Sequence, residues 1–247
     1  MNMADPILII GTARSGTSMV AGCIEIAGAF GGEMRGPTKA APKGMFENRA
    51  IIATIVKPLL KELGADPMGQ KPLPEIERVH EMAATRGPWV RRTALDIMER
   101  EGVADRPWFY KCPKSCHLWP IWNAAFPEAR WIIVRRDDEG IINSCLRTMF
   151  MRAYADDRAG WQSWIDVHKQ RFMEIASRED IASRQIWAKD IVRSELRTLA
   201  NITAWLGLKM RPALIAAFVE PILWKSGNEE HIRPVLSNGV QARASNV

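Results

Sequence analysis

Apolar and polar positions alternate along this chain between two rhythms. Short apolar runs at 6–11 (PILIIG), 108–111 (WFYK), 130–136 (RWIIVRR) and 184–189 (RQIWAK) read as buried strands. Between them lie longer stretches with helical spacing. Helices are predicted over 16–30, 46–64, 91–102, 115–126, near 138–152 and 160–178, and over 191–206. Gly31-Gly32 closes the first of these, and Pro58 predicts a kink or break in the second. Residues 65–90 read as irregular with a short helix around 75–85. The polar, weakly patterned stretch from about 225 to 247 reads as a loop or arm. Strand and helix in alternation predict βαβ units around a parallel sheet, an α/β fold in one domain spanning 1–247.

Composition narrows the classes of function. At 247 residues, 47% hydrophobic and 25% charged, the chain has the makeup of a globular α/β protein with a full core. A formal net charge of +6 favours an anionic ligand. The basic residues are scattered pairs, Arg91-Arg92 and Arg135-Arg136, without the concentrated stripe that nucleic acid requires. No apolar run reaches the length of a membrane span. The first residues enter a strand directly, without a charged leader and cleavage site, so a cytoplasmic enzyme is expected. Four cysteines, Cys23, Cys112, Cys116 and Cys145, read as reduced thiols. Cys112 and Cys116 with the adjacent His117 fall short of a zinc set, and no metal is expected.

The chemistry concentrates in LIIGTARSGTSMVAG, residues 8–22. A strand, a glycine loop and a helix in that order place backbone N–H groups around an anion at a helix N-terminus. Gly11, Gly16 and Ser18 fit the G-x-x-x-x-G-K-[ST] pattern of nucleoside-triphosphate loops, but Thr17 stands where that pattern has its lysine. Arg14 supplies a bidentate cation within the loop instead, and Thr17 and Ser18 supply hydroxyls. A second anion site is readable in WIIVRRDDEGIINSCLRT (131–148). There Arg136, at the carboxyl end of a strand, and Ser144, about two helical turns further on, can converge on one anion.

These segments resemble the sulfotransferases that use 3′-phosphoadenosine 5′-phosphosulfate, in particular the bacterial and tyrosylprotein branches. The resemblance implies a nucleotide-kinase-like three-layer fold, with a central parallel sheet flanked by helices. It implies that Arg14, Ser15, Gly16, Thr17 and Ser18 hold the 5′-phosphosulfate, and that Arg136 and Ser144 hold the 3′-phosphate. The K-x-P segment at 111–113, followed by a helix and FP-x-A at 126–129, resembles the family element that places an active-site lysine, here Lys111. GMFENRAII (44–52) resembles a family segment bearing a glutamate, which makes Glu47 a general-base candidate, with Glu33 a weaker one. His117, in CHLWP, is the rival base by partial likeness to the K-x-H-L-P of cytosolic members.

The chain also departs from the family. Asp138 stands where a proline is usual, and Ala188 replaces a tyrosine that contacts adenine, with Trp187 next to it as a possible stacking partner. The glycine-rich C-terminal motif of cytosolic members is absent, and WKSGN (224–228) is a basic substitute for it. The expected reaction is sulfuryl transfer to a hydroxyl or amine of a small-molecule, carbohydrate or peptide acceptor. A P-loop small-molecule kinase and an inactive nucleotide-binding module are the alternatives. The loop at 33–45 and the stretch at 65–90 are expected to shape the acceptor pocket, and the many tryptophans and methionines raise an apolar pocket as one possibility.

Overall fold

A computed structural model describes residues 5–38, 41–151 and 154–224. The arm expected from about 225, and residues 225–228 of the WKSGN segment, lie outside the described residues.

Four strands form one parallel sheet in the order β2-β1-β3-β4, where β1 is Ile7–Gly11, β2 Phe109–Lys111, β3 Arg130–Arg135 and β4 Ser183–Trp187. All four fall where the apolar runs predicted them. Side chains of a strand alternate between its two faces, and the sheet is covered on both. Leu8, Ile10, Trp131 and Ile133 point into one core, whereas Ile7, Ile9, Ile132 and Val134 point into the other. Each of these side chains is at most 5% exposed, so each contributes on the order of 1.5–3 kcal/mol of burial free energy.

The second core is closed by α1 (Thr17–Ile26), α8 (Ala188–Val192), α9 (Arg197–Trp205) and α10 (Pro212–Phe218). The first is closed by a helical run over 49–62, α4 (Ile76–Arg100), α5 (Trp119–Ala125) and the later part of α7 (Arg158–Ser177). Helix α6 (Asp138–Arg147) packs with α7 in a third, smaller cluster beside the carboxyl ends of the strands. The result is the expected three-layer α/β fold.

Two helical expectations need correction. The run over 49–62 is not broken at Pro58. It consists of α2 (Arg49–Ile51), a π-helical turn (Ile52–Val56) and α3 (Lys57–Glu62). The Lys57 N–H reaches back five residues to the Ile52 carbonyl, so the ladder widens just before the proline, which has no N–H to give. The second correction concerns 75–102, predicted as a short helix, a gap and another helix. It is one 25-residue helix, α4, with Pro88 inside it.

Candidate active site

The loop after β1 turns at two residues with left-handed backbone, Arg14 at φ 69° and Gly16 at φ 95°. Gly16 is the N-cap of α1, and among the described residues no side-chain cap bond is made to that helix. Its first-turn N–H groups and the positive end of its dipole therefore face the cleft at the loop. A Cβ on Gly16 would lie 2.7 Å from Ala188 Cβ and 3.0 Å from the Trp224 ring, so glycine is required there by space as well as by φ. Beneath the loop the hydroxyls of Thr12 and Ser15 are buried with no hydrogen-bond partner among the described residues. Thr17, in the place of the triphosphate-loop lysine, opens α1 and is itself buried.

Arg14 and Arg136, 122 residues apart, meet over this loop. The Arg136 guanidinium donates to the Arg14 carbonyl at 2.9 Å, and Arg14 Nε donates to Ser144 Oγ at 2.9 Å. Asp137 caps α6 by accepting from the Gly140 N–H at 2.7 Å, and Asp138 pairs with Lys169. Burial lowers the pKa of Arg136 to about 10, offset in part by Asp137 and deepened by the charges of Arg14 and Arg147. Arg14 is lowered too, first by burial and also by Arg147. Cations that repel one another in a partly buried setting gain from an anion placed among them.

On the other side of the α1 N-terminus, at the carboxyl end of β2, Lys111 is 3% exposed. Its Nζ donates to Glu47 Oε1 at 3.0 Å, to the Met45 carbonyl at 3.0 Å and to Ser18 Oγ at 3.3 Å. Ser18 in turn donates to the Met45 carbonyl at 3.2 Å. Burial pushes the Glu47 carboxyl upward, but Lys111, Lys114 and Arg35 together outweigh it and hold the group below its ordinary value of 4.5. Glu47 is thus a buried carboxylate ionised at neutral pH.

These groups line one cleft of about 400 Å³, within the usual size of a small-molecule site. Arg14, Gly16, Thr17, Ser18, Glu47, Lys111 and Arg136 all border it. Met68, Phe150, Met151 and Trp164 make an apolar wall, and Arg35, Pro42, Lys43 and Gly44 border it from the 33–45 loop. Both segments expected to shape a pocket therefore contribute to it.

Other expected residues stand apart. His117 is buried and does not border the cleft. Its Nε2 lies 3.0 Å from His168 Nε2, and it is His168 that reaches the cleft wall. Burial and the nearby charges of His168 and Arg171 push His117 well below 6.5, so its ring is neutral. Glu33 is exposed, and its N–H donates to Glu101 at 2.7 Å. Trp187 is 39% exposed with the Lys189 ammonium 4.9 Å from its ring, and it does not border the cleft. Trp224 takes the position beside the loop instead, with the Arg136 guanidinium 4.1 Å from its ring. Sequence reasoning missed Lys114 and His168 as cleft residues, and reached Trp224 only as the first residue of the WKSGN segment. Lys114, three residues after Lys111, carried a local signal, and His168 carried none.

The fold is a three-layer α/β architecture, and Arg14, Lys111 and Arg136 border one cleft beside its parallel sheet. The sulfotransferase family profile matches residues 6–212, and the chain belongs to that family. Two solved structures share its fold. The sulfotransferase domain from the curacin biosynthetic pathway has a TM-score of 0.58 at 14% identity, covering 86% of this chain and 77% of that one. The sulfotransferase domain from the Synechococcus PCC 7002 olefin synthase has a TM-score of 0.55 at 17% identity, covering 99% of this chain and 92% of that one. No curated protein matches the chain.

Proposed function

We propose that this sulfotransferase-family protein transfers a sulfuryl group from 3′-phosphoadenosine 5′-phosphosulfate to a hydroxyl or amine acceptor. The observation that carries the donor assignment is the convergence of Arg14, Arg136 and Ser144 beside an uncapped helix N-terminus. We assign one anion to the loop and α1 and a second to the Arg136–Ser144 side, as a nucleotide with phosphates on both its 5′ and 3′ oxygens requires. The buried, unpartnered Ser15 hydroxyl and the crowded cations support that fit. When bound, the donor supplies an activated sulfuryl group; everything else is the work of this chain.

That work is positioning and charge. The α1 N–H groups, Thr17 and Ser18 hold the phosphosulfate end, and Arg136 with Ser144 holds the 3′-phosphate. Lys111 and Arg14 neutralise charge on the leaving phosphate oxygen. Glu47, ionised and bordering the cleft, accepts the acceptor's proton at a carboxylate oxygen. Arg35, whose Nη1 lies 3.9 Å from Glu47 Oε2, helps keep that carboxylate charged. The acceptor enters along the apolar wall of Met68, Phe150, Met151 and Trp164.

Calorimetric titration tests the donor assignment. Adenosine 3′,5′-bisphosphate should bind at least about ten-fold more tightly than adenosine 5′-monophosphate, since the 3′-phosphate gains charge-assisted bonds. Equal affinity for the two would remove the 3′-phosphate site.

A further inference from the structure

Behind the apolar wall lies a group of side chains that the transfer chemistry does not use. Cys116 and His117 belong to the 3-10 turn Pro113–Leu118, and His168 comes from α7. They are 0%, 1% and 1% exposed. A ligand atom from each lies within 4.8 Å of the other two. A cysteine and two histidines are the donors of a zinc-type site, and His168 is 51 residues beyond His117, which is why the Cys112–Cys116–His117 stretch alone reads as incomplete.

We propose that Cys116, His117 and His168 form a binding site for one zinc-class divalent ion. Three features support it. First, the ring nitrogens are placed for ligation. Two imidazole nitrogens on a tetrahedral zinc, each at about 2.0–2.1 Å, stand about 3.3 Å apart, and Nε2 of His117 is 3.0 Å from Nε2 of His168. Second, His168 is oriented as metal-ligating histidines are. Its Nδ1 lies 2.8 Å from the Trp164 carbonyl, so Nδ1–H donates there and the Nε2 lone pair is left for the cluster. Third, His168 borders the cleft, so the cluster lies directly behind the cleft wall.

The charge balance is modest. A thiolate and two neutral rings leave the dication with one net positive charge, and the neighbouring Arg171 is already paired with Glu174 at 2.7 Å. Such an ion would fasten the turn that carries Lys114 to α7. It would set one wall of the cleft without touching the reacting atoms.

The test uses the full chain, reduced and freed of metal with a chelator, then titrated with Co²⁺ and with Zn²⁺. The expected result is one Co²⁺ per chain with tetrahedral d–d absorption and a thiolate-to-cobalt charge-transfer band, displaced by Zn²⁺. In Cys116→Ala the band disappears and affinity falls about ten-fold or more, while Cys112→Ala keeps both. Circular dichroism of each variant establishes that it is folded. The absence of stoichiometric Co²⁺ on the folded wild-type chain would overturn the proposal, leaving a hydrogen-bonded histidine pair. So would binding without the thiolate band, or a band lost in Cys112→Ala instead. Nucleotide affinity is read in parallel and bears on the donor assignment alone.

Discussion

Lys111 Nζ and Glu47 Oε1 lie 3.0 Å apart in an ion pair whose two side chains are 3% and 9% exposed. The partners are 64 residues apart and come from different parts of the fold, the end of β2 and the segment before the 49–62 helical run. Charges are seldom buried this fully unless each satisfies the other, and breaking one side leaves the other stranded.

The first prediction concerns that pair. Glu47→Gln should lower stability at pH 7 by about 1–3 kcal/mol, because Lys111 keeps an acceptor but loses its counter-charge. The sign of the pH dependence follows from the depressed Glu47 pKa. Its stabilising contribution is complete above the unfolded value near 4.5 and is lost as pH falls through the lower folded value. The gap in melting temperature between wild type and Glu47→Gln should therefore stay constant above about pH 4.5, narrow as pH falls below that, and be closed once pH has passed through the lower folded value. With an acceptor in hand, Glu47→Gln should also reduce transfer by about 10²–10⁴-fold while sparing nucleotide affinity.

At the 3′-phosphate side, Arg136→Ala should weaken adenosine 3′,5′-bisphosphate binding by about 10–100-fold, the value of one or more hydrogen bonds to a charged group. Ser144→Ala removes the acceptor of Arg14 Nε and should cost less, a few-fold. Titration calorimetry separates the two. Equal losses would mean that Ser144 touches the ligand as strongly as the arginine does.

Gly16→Ala places a methyl in a left-handed position where a neighbouring methyl stands only 2.7 Å away. It should destabilise the chain by about 1–3 kcal/mol and weaken nucleotide binding, measured by denaturant unfolding and by titration. Unchanged values for both would show that the loop re-forms without its glycine.

Trp224 stacks on Arg136 at 4.1 Å and abuts Gly16, so it borders the cleft beside the loop. Trp224→Phe should keep most of the bisphosphate affinity, whereas Trp224→Ala should lose about 1–2 kcal/mol, as cation–π and aromatic packing contacts of this kind contribute. The two variants are compared by the same titration.

The sheet was legible because parallel strands buried on both faces are written as unbroken apolar runs, and β1 to β4 are such runs. Helix α4 was not, because Gly87-Pro88 in its middle reads as a break. The physical reason for that pair is packing. A Cβ at Gly87 would stand 2.9 Å from Ala124 Cβ, so the glycine lets α4 and α5 approach closely. It also spares the residue before Pro88 the clash that a side chain would meet. Arg14, Lys111 and Arg136 were legible as neighbours of one cleft because each sits at or just past a strand end. The pairing of Lys111 with Glu47, the place of Trp224 beside the loop and the meeting of His168 with Cys116 are products of tertiary packing. No local spacing encodes them.

The most direct test of the donor assignment is thermal unfolding with adenosine 3′,5′-bisphosphate set against ATP with Mg²⁺. A ligand at about 100 times its Kd stabilises the folded state by about 2.7 kcal/mol, which is a shift of roughly 5–10 °C for a domain of this size. A shift with the bisphosphate that Arg136→Ala removes, and none with Mg-ATP, is the predicted result. A shift with Mg-ATP alone would contradict it and make the loop, despite Thr17, a triphosphate site.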